Sequence, residues 1–72
     1  MKYQQQAQAL DNTLRTEGWK YLDENLKNLR EAKVNEFLKT RDDKSLRLVD
    51  GIDALYLEIH NIFEKAKIEK LQ

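Results

Sequence analysis

With 72 residues, 13 basic and 13 acidic, the chain holds one domain at most and lacks the basic excess of a nucleic-acid footprint. No cysteine and a single histidine exclude disulfide staples and the Cys and His sets of structural zinc. A core this small is marginal alone, and oligomerisation is the remaining common remedy.

Prolines are absent and charged residues make up 36% of the chain, with the two signs interspersed, a composition that suits long solvated helices. Apolar runs are only a few residues long, far short of the roughly 20 needed to span a bilayer. One lysine and then glutamines follow the start, without the apolar stretch of a signal peptide, so an intracellular location is expected.

Met1 to Ala9 contains four glutamines, and Tyr3, Ala7 and Leu10 continue only a weak three-four spacing, so a frayed helical start is expected. From Leu10 the apolar positions Leu14, Trp19, Leu22, Leu26, Leu29, Val34, Phe37 and Leu38 have helical spacing with one slip near Gly18. The spacing predicts one long first helix over about 10–40. The alternative is that Thr16, whose hydroxyl oxygen can accept from an orphan amide, caps a fresh helix start. On the wet side, Lys20 with Glu24, Asp23 with Lys27 and Lys27 with Glu31 each add a few tenths of a kcal/mol.

Thr40 to Ser45 is the strongest turn signal, because Asp and Ser side chains compete with helical backbone bonds. A turn over about 41–45, with Asp42 or Asp43 as cap, leads into a second helix over about 46–70. So short a connection makes the helices antiparallel neighbours, with paired residue numbers summing to roughly 83. That register sets Ala32 against Gly51, Leu26 against Leu57, Leu29 against Ala54, and Phe37 or Leu38 over Leu46. Gly51 costs about 1 kcal/mol of helix propensity; it is read either as a close-packing point against Ala32 or as a plain weak spot.

The chain is organised around this second helix, where Val49, Ile52, Tyr56, Ile59, Phe63 and Ala66 recur at alternating steps of three and four. Leu48, Leu55 and Ile62 widen the stripe beyond what one partner helix covers. The expected fold class is therefore all-α: an antiparallel two-helix hairpin that self-associates into a helical bundle.

The residues offer little chemistry. His60 lies at the edge of the stripe near Glu64, and a hairpin has no shielded cleft for acid–base work. Asp50 with Asp53, and Asp42 with Asp43, lack the alternating oxygen ligands of a calcium loop, and the two isolated glycines form no phosphate loop. No enzyme activity, metal or cofactor is implied. Arg41, Lys44 and Arg47 cluster by the bend as a possible anion contact, although Asp42 and Asp43 between them favour a solvated turn. Trp19 and Tyr21 are of the types enriched in contact hot spots, with ordinary core as the other reading for Trp19.

Thr16-Glu17-Gly18-Trp19, a charged helical stretch, and then Gly51-Ile52-Asp53-Ala54-Leu55 resemble small helical proteins of tailed bacteriophages, loosely over residues 14 to 63. The resemblance implies an accessory phage protein from among the virion and packaging genes, in the host cytoplasm or the virion, and carries no site residues.

The leading expectation is a non-enzymatic interaction protein, working through Trp19, Tyr21, Leu48, Leu55, Tyr56, Ile59, Ile62 and Phe63. Its partner is another copy, with a dimer as the simplest closed form, or a larger phage or host protein. The alternatives are an oligomer that sequesters a small anion at Arg41, Lys44 or Arg47, and an RNA-binding four-helix dimer, which zero net charge disfavours.

Overall fold

The computed structural model describes residues 1–71. It consists of α1 (Lys2–Leu14), α2 (Glu17–Thr40) and α3 (Asp43–Leu71), with no strand among the described residues. The all-α expectation holds, but the two-helix hairpin is corrected to three helices.

Thr16 is the reason. Its backbone is extended at φ −75° and ψ 153°, and its Oγ accepts from the Trp19 amide at 3.1 Å while its hydroxyl donates to the Thr13 carbonyl at 2.7 Å. One side chain thus caps the start of α2 and ties down the end of α1. The expectation of a single helix over about 10–40 fails here, and the capping alternative is the one that forms.

The frayed start is also corrected, since α1 begins at Lys2. Met1 provides no side-chain cap. The cap comes from the far end of the chain, where the Glu69 carboxylate accepts from the amides of Tyr3 at 3.2 Å and Gln4 at 3.1 Å. A carboxylate at a helix N-terminus satisfies orphan donors and opposes the positive end of the dipole.

The bend is tighter than expected, comprising Arg41 and Asp42 between the helices. Arg41 adopts the left-handed conformation at φ 57°, its amide donating to the Phe37 carbonyl, a helix ending at which glycine is commoner. Asp42 Oδ1 accepts from the Lys44 amide at 3.0 Å, so α3 is capped by one of the two aspartates expected and begins at Asp43.

Both α1 and α2 pack antiparallel to α3. Arg30 meets Asp53, the axial level that the turn predicts. Toward the start of α2, however, Asp23 and Trp19 both reach Tyr56, so α2 advances about three turns while α3 advances about one. α2 therefore crosses α3 and leaves it. A straight arm in the Arg30–Asp53 register would set Glu69 against Leu14 and carry most of α1 past the end of α3. The bend at Thr16 returns α1 to the second half of α3, where Tyr3 meets Glu69.

The predicted stripe is the observed seam. Val49 and Ile52 are buried, and Ala7 lies at the edge of burial; Tyr56, Ile59, Phe63 and Ala66 are half-buried. The small Ser45 is buried at the bend end, only 4% exposed.

The facing pairs are corrected. Ala32, Gly51, Leu29, Ala54, Leu57, Leu38 and Leu46 are all exposed, and a Cβ added at Gly51 would meet nothing within 4 Å. Gly51 is not a close-packing point. Counting from a turn gives the level of two helices along each other but not their rotation, and here the seam rotates those residues outward. Of the three charge pairs expected on the wet side, Asp23 with Lys27 closes, at 3.0 Å.

The three helices form one layer. The molecule is long and thin, extending 48 × 26 × 12 Å. Its radius of gyration is 15.5 Å, against about 11 Å for a compact chain of this length.

Candidate interaction surface

Two leucine rows rise from one face of this layer. On α2, Leu22 and Leu29 are a heptad apart, with Glu36 one heptad further on; on α3, Leu48, Leu55 and Ile62 repeat the same interval. Heptad-spaced residues stay on one side of a helix, drifting only about 20° per repeat. Glu36 and Leu48 line the same shallow hollow, together with Lys33, Lys44 and Ser45, so both rows open onto the same face. Leu22 is 50% exposed, Leu29 39%, Leu48 40% and Leu55 41%, and Ile62 is half-buried.

A bidentate clamp joins α2 and α3. Arg30 Nε donates to Asp53 Oδ1 at 2.7 Å and its Nη2 to Oδ2 at 3.1 Å. These bonds hold the Asp53 carboxyl below its ordinary range and raise the Arg30 guanidinium above its own. Both side chains are about half exposed, so the pair fixes register more than it adds stability.

The expected interaction residues divide. Leu48 and Leu55 are presented on the face, with Ile62 beside them. Trp19 is spent inside the molecule: it packs edge-on against Tyr56, ring centres 6.4 Å apart at 62°, a favourable aromatic geometry. Tyr56 is fixed further by its hydroxyl, which donates to the Asp23 carboxylate at 2.5 Å. Ile59 and Phe63 are half-buried, and Phe63 lines the groove between α3 and α1. Tyr21 is 59% exposed, its hydroxyl donating to Glu17 on its own helix at 3.2 Å. Leu22 and Leu29 stand outside the expected interaction set, and their heptad interval, matching that of Leu48 and Leu55, is the sequence signal for them.

The cations by the bend share no single hollow. Arg41 lies over the Phe37 ring at 5.7 Å, Lys44 lines the hollow with Glu36, Lys33 and Asp42, and Arg47 is exposed on α3. His60 is exposed, with Nε2 4.0 Å from Glu64. Among the described residues, no helix is long and apolar enough to cross a membrane, and no group of three potential metal ligands gathers.

The chain matches no protein-family model, no curated protein and no solved structure. The Thr16-Glu17-Gly18-Trp19 stretch that carried the phage resemblance is the cap and first turn of α2, so its residues serve to begin a helix.

Proposed function

We propose that this chain is a non-enzymatic helix–helix interaction protein that self-associates through the face of Leu22, Leu29, Leu48 and Leu55. The observation that carries the reading is a surplus of surface. A folded monomer of this mass exposes about 4,700 Å², whereas the chain exposes 5750 Å². The difference, about 1,000 Å², is close to the roughly 800 Å² that each partner buries in a standard interface.

The architecture points the same way. Domains are ordinarily two packed layers around a core, and this molecule is one layer with a leucine face. A second copy placed face to face supplies the missing layer and closes a helical bundle. Its Leu rows would cover their own counterparts, which is what a two-fold interface requires. Such a module fits the accessory role that the phage resemblance implies, in virion assembly or in holding a host protein.

Leu29→Glu with Leu55→Glu is the test, read as native mass at fixed concentration. The double variant is expected to remain helical and become monomeric, because four carboxylates would face one another across the two-fold. The same change at Leu38 and Leu57, exposed residues outside the two rows, is expected to leave the assembly intact. Assembly that survives the first pair would refute the face.

A further inference from the structure

We propose that α1 is an exchangeable arm, and that its seat on the C-terminal half of α3 can be taken by the α1 of a second copy. The inference deepens the self-association reading but concerns a different surface, the one beneath α1.

α1 is held almost wholly by α3. Glu69 caps its first amides, Lys65 lies over the Tyr3 ring at 5.7 Å, and Gln4, Ala7, Gln8 and Asp11 face Phe63, Ala66, Lys67 and Lys70 across an open groove of about 420 Å³. None of these contacts requires that α1 and α3 belong to the same molecule. The occupant whose chemistry fits the seat is the α1 sequence itself.

The joint is one torsion wide. Arg15 is still near the helical region at φ −89° and ψ −5°, and Thr16 φ at −75° is compatible with a helix; only its ψ of 153° departs. Turning that single angle to about −40° joins α1 to α2, and the orphan amides at the start of α2 gain intrahelical carbonyls. A straight arm of residues 2–40 is about 58 Å long against about 43 Å for α3. Because α2 already diverges from α3 beyond Asp23, straightening carries α1 off its own seat and toward a neighbour's. In a reciprocal pair every α1 contact is regained, the general condition for a low-cost swap.

Labelled and unlabelled chains, unfolded, mixed and refolded together, provide the test by isotope-filtered NOE. Exchange predicts cross-copy NOEs from the Ala7 methyl to the Phe63 ring and the Ala66 methyl. Thr16→Ala, which removes the cap, should raise the exchanged fraction about fivefold, the factor a typical N-cap is worth. Three glycines inserted between Arg15 and Thr16 should abolish exchange by letting α1 fold back freely. Ala7 NOEs that stay within one copy, in both the wild type and Thr16→Ala, would overturn the proposal. Cross-copy NOEs among the Leu22, Leu29, Leu48 and Leu55 methyls report on the leucine face separately, so either surface can fail alone.

Discussion

The Tyr56 hydroxyl on α3 donates to the Asp23 carboxylate on α2 at 2.5 Å, at the level where α2 turns away from its neighbour. Asp23 also accepts from Lys27 at 3.0 Å, and Trp19 packs edge-on against the Tyr56 ring. This cluster is the last tie between α2 and α3 before the Thr16 break, so it sets where the first arm departs.

The cluster makes stability depend on pH at both ends of the range. The bonds from Tyr56 and then Lys27 hold the Asp23 carboxyl below its ordinary value of 3.8. Its contribution is complete above that value and is lost as pH falls through the lower folded value. Burial, and then the Asp23 bond and charge, push Tyr56 from 10.0 up to about 12; its contribution is complete below 10.0 and is lost as pH rises through about 12. Tyrosinate absorbance should therefore contain a component titrating near pH 12 that Tyr56→Phe removes. Asp23→Asn should flatten the acid limb of the melting temperature. An unchanged alkaline titration in Tyr56→Phe would contradict the assignment.

Gly51→Ala should stabilise the protein by about 0.5–1 kcal/mol. Gly51 sits in the interior of α3 without a positive φ and with open space around a new Cβ, so alanine gains propensity and meets no clash. Chemical denaturation measures the difference, and a loss of stability would restore the close-packing reading.

Ile52→Ala should cost about 2–4 kcal/mol, because Ile52 is 5% exposed in the seam. Glu58→Ala, exposed on the same helix, should stay within about 0.5 kcal/mol of the wild type. Equal melting curves for the two would remove the seam.

Much of this architecture was legible in residue spacing. The run from Val49 to Ala66 named the buried stripe of α3 because alternating steps of three and four have one structural meaning. Asp42 and Thr16 were readable as caps because a short oxygen-bearing side chain at a helix start acts locally. The glutamine-rich start could not be read as an ordered helix, since what orders it is Glu69, distant in sequence and adjacent only after α3 returns. The rotation of α2 was hidden for a related reason: the turn fixes the level of Arg30 against Asp53 but leaves the roll of each helix to packing. Trp19 was readable either as a contact anchor or as core, and only Tyr56, its partner across the fold, decides for packing inside the molecule. The leucine face needed two things together, the heptad interval of each row and the side of the layer on which both lie, and only the first is written in the chain.

The most direct test is sedimentation velocity of the wild-type chain across about a hundredfold range of concentration, with helicity followed alongside. The account predicts a helical species at or above twice the 8.6 kDa chain mass, dissociating at the dilute end to a helical monomer as the leucine face is returned to water. A well-folded monomer of 8.6 kDa at every concentration would contradict it.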